Sequence, residues 1–251
     1  MNFNLINLVG LAVVLLCAIL MVFSLVIYRK QPMRGLRLIP AFNHLRQALG
    51  LAVEDGSRTH ISLGNASPFS QQGASALVGL NVLERVAQMS ASSDQPPVVT
   101  GGDGGMVVLS QDVLRASYRR ANTPALYDPI LGRLSGPTNL SYIAGALPHI
   151  HDEEVSTNIF LGSFGPEVGL LVDAAEQENR FTLGGSDSLP AQAVLYATAR
   201  EPIIGEELFA SGASLQTNPF HPASLRAQDV LRWLILASLV GGSILKLLKI
   251  L

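Results

Sequence analysis

Lysine is almost missing from this chain. Lys30, Lys246 and Lys249 are its only three, and all stand beside the apolar ends. The long stretch between Lys30 and Lys246 therefore holds no phosphate-binding Walker lysine, no Schiff-base lysine and no lysine general base. Cysteine is scarcer still. Cys17 is the only one, inside the first apolar run, so no internal disulfide forms and no thiol serves the middle of the chain as nucleophile or metal ligand. Charged residues make up only 14% of the 251 positions, and the formal net charge is -2. A general nucleic-acid binder would show a basic excess, so none is expected as a partner. Motifs are missing too. VTGGDGG (99–105) departs from the G-x-G-x-x-G dinucleotide pattern, no glycine loop is followed by K-[S/T], and no serine stands in G-x-S-x-G.

What is abundant is apolar sequence, 48% by count with a mean hydropathy of +0.35. Two end segments explain the excess. Residues 5–28 form an uncharged run of about the ~20 residues that cross a bilayer as a helix. No basic stretch precedes it and it exceeds a signal peptide's apolar core, so it reads as a retained anchor. Arg29, Lys30, Arg34 and Arg37 follow, with no acid before Glu54. Basic residues at a membrane end favour the cytoplasmic side, which puts the central domain in the cytoplasm and the chain in the cell membrane. The same cluster can meet anionic head groups. Residues 230–251 are a second membrane segment by this reading, with Trp233 at an interface position and Lys246 and Lys249 snorkelling from its far end. A re-entrant or interfacial helix is the alternative.

Between the ends, residues 29–57 read as a basic and amphipathic connector, 58–216 as the folded domain and 217–229 as a linker. In the domain one pattern recurs four times. Short apolar runs at 60–63, 98–100, 158–161 and 181–183 each meet glycine and feed a helical stretch. That grammar predicts an α/β fold: an open, mostly parallel, doubly wound (Rossmann-like) sheet of four to five strands, flanked by N- and C-terminal transmembrane helices. Proline beside an acid at Pro166-Glu167, and Ser188-Leu189-Pro190, mark helix starts.

All strand C-termini of such a sheet share one edge, where ligands bind. The turn residues Gly101, Gly102, Asp103, Gly162, Ser163, Gly165, Gly184, Gly185 and Asp187 gather there, and helix N-termini beside them suit an anion. The same glycines serve tight strand-to-helix turns whether or not anything binds. Asp103, Glu167, Asp187 and the Glu206-Glu207 pair could together hold a Mg2+-type cation, but acids at helix starts are also ordinary capping chemistry. His149 and His151 alternate as two metal ligands on one strand face would, with His60 or Asp103 as further candidates. Ser163, Ser186 and Ser188 are the candidate nucleophiles, and Arg115, Arg119 and Arg120 form a basic helix face.

The N-terminal anchor, the segments ASALVGL (74–80), GSFGPEVGLL (162–171), GGSDSLPAQAVLYAT (184–198) and IGEELFASGASL (204–215), and SLRAQDVLRW (224–233) before the last apolar run resemble a family of uncharacterised membrane-anchored prokaryotic proteins. The resemblance implies membrane attachment and a domain of unknown function, and it supplies no catalytic residue. Two functions follow. One is a non-catalytic binding or scaffold module at the cytoplasmic membrane face, partnered by the bilayer and by copies of itself or another membrane protein. Small-residue faces at Gly73–Gly79 and Ala210–Ala213 would permit such close packing. The other is a domain binding a nucleotide or anionic metabolite, with or without Mg2+, at the glycine edge; no motif names the cofactor.

Overall fold

A computed structural model describes residues 5–27, 37–93, 95–151, 155–215 and 220–247. The chain forms two compact units, Ile39–Thr217 and a unit made of its two ends. In the end unit, α1 (Leu5–Ile27) packs along the last helix, Phe220–Leu247. Among the described residues α1 is the one helix long and apolar enough to cross a membrane. Asn7–Ile27 has a mean hydropathy of 3.0, and only 6% of the segment is buried, unlike the core helix of a soluble protein. The last helix is a single 28-residue piece. Its first half carries Arg226, Asp229 and Arg232, so its apolar stretch begins only at Trp233, which is 74% exposed. Residues 220–229, expected as linker, are its first turns. Arg29, Lys30 and Arg34 lie outside the described residues; Arg37 is exposed.

The Ile39–Thr217 unit opens with α2 (Pro40–Glu54), whose apolar positions Phe42, Leu45 and Leu49 recur at helical spacing and are all buried. This helix, expected in the connector, is part of the folded core. The alternating elements follow: β1 (Arg58–Gly64), α3 (Gly73–Met89), β2 (Val98–Gly101), α4 (Gly104–Arg120), β3 (Gly132–Leu134), α5 (Asn139–His151), β4 (Val155–Ser163), α6 (Val168–Gln177), β5 (Phe181–Ser186), α7 (Leu189–Thr198) and β6 (Glu201–Ile203). A 3-10 turn at Gly205–Leu208 and the one-turn α8 (Ser211–Ser214) follow. The Phe220–Leu247 helix is α9.

The sheet has six strands, not four to five, and every pairing is parallel. The two additions, β3 and β6, are three-residue edge strands with a single neighbour each. Their sequences, GRL and EPI, lack the apolar run that marks a strand buried on both faces. Pro202 is tolerated in β6 because an edge strand needs no donor on its outer side. The order β3-β2-β1-β4-β5-β6 reverses direction between β1 and β4.

Two apolar layers cover the sheet. Ile61, Leu63, Ile159 and Leu161 pack with α2, α3 and α4, while Phe160 packs with α5, α6 and α7. The face beneath α5 also holds a buried polar group. His60 and Ser62 of β1, Thr100 of β2, Asn158 of β4 and Tyr142 of α5 are each at most 1% exposed. Tyr142 is their hub: its hydroxyl lies 2.5 Å from Ser62 Oγ and 3.2 Å from Thr100 Oγ1, and Gly64 N donates to it at 3.3 Å. His60 bridges Thr100 Oγ1 (2.9 Å) and Asn158 Oδ1 (3.2 Å). Most buried polar groups in folded proteins are paired in this way.

Tyr118 of α4 is the contrasting case, fully buried with a hydroxyl that has no partner. Burial pushes its pKa up to about 12 from 10.0, with Arg58 pulling slightly the other way. The neutral phenol is favoured in the fold, so this contribution is fully present below pH ~10. It is lost as pH rises from the unfolded value through the folded one. Tyr118→Phe is expected to leave stability at pH 7 unchanged within about 0.5 kcal/mol. It should also flatten the alkaline fall in stability. Urea unfolding at pH 7 and pH 11 checks both.

Candidate functional site

Where β1 and β4 part, the chains leaving them turn to opposite sides of the sheet and open a crevice. It has a volume of about 460 Å3. Three strand ends supply its walls: Asn65 and Ala66 after β1, Ser163 to Gly165 at the end of β4, and Asp187 with Ser188 after β5. Gln72 at the start of α3 and Asn139 at the start of α5 complete it. This is the position where open parallel sheets hold ligands. None of the nine lining residues is lysine, arginine, histidine or cysteine.

The lining is braced by its own hydrogen bonds. Asn65 Nδ2 donates to Asn139 Oδ1 at 2.8 Å, and Asn139 Nδ2 donates to Glu167 Oε2 at 3.3 Å. Ser75 Oγ of α3 donates to Asp187 Oδ2 at 3.0 Å, tying the β5 turn across to the helix after β1. Two oxygens are left over: Asp187 Oδ1 and Asn65 Oδ1 are buried and without a partner. Gln72 and Ser188 stand at helix N-cap positions, yet neither side chain caps its helix. The site thus combines a preformed concavity with polar groups that the fold itself does not use.

The family model for a domain of unknown function, DUF6754, matches residues 1–251. The chain belongs to the DUF6754 family. No curated protein and no solved structure matches it.

The structure of this DUF6754 chain brings some of the expected site residues together and separates others. Ser163, Gly165 and Asp187 line the crevice. Gly162 does not; it lies where β4 crosses closest to β1, and a Cβ there would stand 2.0 Å from Leu63 O. Its neighbour across the strands, Gly64, has φ +75 and would place a Cβ 2.1 Å from Ser163 O. Those two glycines permit a backbone approach that no other residue allows. Gly101 and Gly102 end β2, with Gly102 against Asn65, and Gly184 and Gly185 are inside β5 against Leu195 and Leu208. Asp103 is the N-cap of α4, accepting from Met106 N at 3.1 Å.

His149 and His151 occupy the last turn of a helix, not a strand. The α5 helix runs through Pro148, so two residues apart they point to different sides. His149 Nδ1 meets Arg133 at 2.8 Å, and His151 pairs with Glu178. Glu178 is held below the ordinary carboxylate pKa, first by that His151 contact and further by Arg180. Among the described residues, no three His, Cys, Asp or Glu side chains gather into a metal-holding group.

Of the serines, Ser186 is fully buried, and its Oγ accepts from Phe164 N (3.1 Å) and Ser188 N (3.3 Å). Arg120 pairs with Glu84, while Arg115 and Arg119 border a separate groove with Tyr127. The small residues Gly73, Ser75, Ala76 and Gly79, and Ser211 to Ala213, are buried within this unit. Gly79 lets α3 approach the Leu161 carbonyl of β4, so that face serves the core. Asn65, Gln72 and Asn139 were not legible as site residues. Each is an ordinary polar residue in a loop or at a helix start, and only the strand order brings them together.

Proposed function

We propose that this protein is a membrane-tethered, Rossmann-like module that binds a small molecule in the crevice between β1 and β4. The observation that carries the proposal is the coincidence of a lined cavity with the reversal point of the 3-2-1-4-5-6 strand order, which is the Rossmann order. The residues assigned to binding are Asn65, Gln72, Asn139, Ser163, Asp187 and Ser188. The role assigned in this proposal is recognition; among the described lining residues none is a histidine or cysteine.

Thermal unfolding of the detergent-solubilised full chain against a panel of sugars, nucleosides, their phosphates and amines tests the reading. One class should raise the Tm by several degrees, as a ligand well above its Kd does. Ser163→Phe, which fills the crevice, should abolish the shift. A panel that moves wild type and Ser163→Phe alike would place binding elsewhere.

Tethering by α1, with α9 as a second span, belongs to the same proposal. The run from Asn7 to Ile27 is 21 residues long, a rise of roughly 32 Å at ~1.5 Å per residue, which matches the hydrocarbon core. The basic residues Arg29, Lys30, Arg34 and Arg37 support a cytoplasmic α/β unit. An alkaline carbonate wash should leave the full chain in the membrane pellet. A membrane-impermeant maleimide should label Ala125→Cys, in a Cys17→Ser background, only after permeabilisation. Labelling of intact cells would reverse the orientation.

A further inference from the structure

The crevice lacks the equipment with which parallel α/β sheets usually hold phosphate. A phosphate is normally bound by a cation and by free backbone N–H groups at a helix start. Among the described residues, no lysine, arginine or histidine lines this crevice. Many of the nearby N–H groups are already engaged. In the first turn of α3, Gly73 N donates to Ser70 O, and Ser75 N and Ala76 N to Gln72 O. Val168, Gly169 and Leu170 at the start of α6 donate to the carbonyls of Gly165, Pro166 and Glu167. Tyr142 N in α5 donates to Thr138 O. In α7 the second residue is Pro190, which has no N–H to give. The turns themselves are closed as well: Asn65 N donates to Ser163 O, and Phe164 N and Ser188 N donate to Ser186 Oγ.

What the crevice offers instead is acceptors with a few two-way groups. Asp187 is the one ionisable side chain in its lining, and its Oδ1 is buried without a partner; the unpartnered Asn65 Oδ1 lies against Gly102 instead. Glu167, behind Asn139, adds a second negative charge near the rim. The hydroxyls of Ser163 and Ser188 and the amide of Gln72 can each donate and accept. A phosphate would bring like charge to Asp187 and find no cation in the lining to offset it. An ammonium would satisfy the acceptors but leave the amide and hydroxyl donors unmatched. A ligand hydroxyl does both, donating to the carboxylate and accepting from serine or glutamine.

From this arrangement we infer that the crevice takes a neutral polyhydroxylated ligand of monosaccharide to nucleoside size, with Asp187 accepting from one of its hydroxyls. The inference rests on the crevice being the binding site proposed above. It reverses the expectation of an anion at this edge.

The test is calorimetric titration of the detergent-solubilised full chain with matched probes: ribose and ribose 5-phosphate, adenosine and its 5′-monophosphate, glucose and glucose 6-phosphate, inositol and its monophosphate, with spermidine as the amine. At least one neutral member should bind, its phosphorylated partner at least about tenfold more weakly. Asp187→Asn keeps an acceptor for Ser75 and removes only the charge. It should weaken the neutral ligand about tenfold and narrow the preference over the phosphate, a change that a purely structural residue would not produce. A phosphorylated probe binding as tightly as its neutral partner would overturn the inference, as would spermidine binding alone or silence from every neutral probe. Ser163→Phe separates the two levels. A phosphate bound by wild type but not by Ser163→Phe defeats the ligand class and leaves the crevice standing, whereas a probe bound equally by both defeats the crevice as well.

Discussion

Gly162→Val is expected to destabilise the α/β unit by about 3 kcal/mol or to prevent folding, as overpacking at a closed site does. The reason is local. A Cβ at Gly162 would stand 2.0 Å from the Leu63 carbonyl oxygen and 2.6 Å from its carbon, and both are backbone atoms of the adjacent central strand. Backbone in the middle of a parallel sheet cannot rotate aside as a side chain can. Relief would require β1 and β4 to separate where Asn65 N also bonds to Ser163 O. At roughly 2–4 °C per kcal/mol for a unit of this size, the fall in Tm should be about 6–12 °C. Gly104→Ala is the control. Nothing lies within 4 Å of its Cβ position, at the first residue of α4, so it should be neutral or stabilise by up to about 1 kcal/mol. If Gly162→Val were as mild as Gly104→Ala, the close approach of the two strands would be wrong.

Tyr142→Phe is expected to cost about 1–3 kcal/mol, the penalty of leaving buried polar groups unpaired. The substitution keeps the ring, its packing in the second apolar layer and its contact with Phe164, 6.3 Å between centroids. It removes the shared partner of Ser62 Oγ, Thr100 Oγ1 and Gly64 N. Gly64 is the residue from which the chain turns into the crevice, so the loss should also loosen Asn65. Hydrogen exchange should show faster opening at residues 64–66 than at β5, where no bond to Tyr142 is lost. The parallel variant Tyr118→Phe removes a hydroxyl with no partner and should cost nothing comparable. Equal effects from the two would show that the Tyr142 cluster does not hold the centre of the sheet.

The four central strands were legible because each is an apolar run closed by glycine, a pattern that burial on both faces demands. In α3 the apolar positions Leu80, Leu83 and Val86 recur at helical spacing and are buried. β3 and β6 escaped because three residues at an edge, one of them arginine or proline, carry no such pattern. His149 and His151 were misread because Pro148 looks like a break, whereas α5 runs on through it. The glycine turns were visible, but their purpose was not. Gly162 and Gly64 serve strand contact, which depends on β1 and β4 being neighbours although β2 and β3 lie between them in sequence. The crevice has the same origin. Asn65, Asn139 and Asp187 meet only because α5 carries the chain from the sheet edge back to its centre, and no spacing along the sequence records that return.

The most direct test of a ligand at this crevice is site-specific protection. In a Cys17→Ser background, Ser188→Cys and Ala125→Cys place single thiols in the crevice and on a remote exposed turn. A maleimide labels both in the free protein. With a probe that raises the Tm of the Ser188→Cys chain present at saturation, labelling at position 188 should slow at least about tenfold while position 125 is unchanged. Equal labelling rates at position 188 with and without that probe would contradict a binding site between β1 and β4.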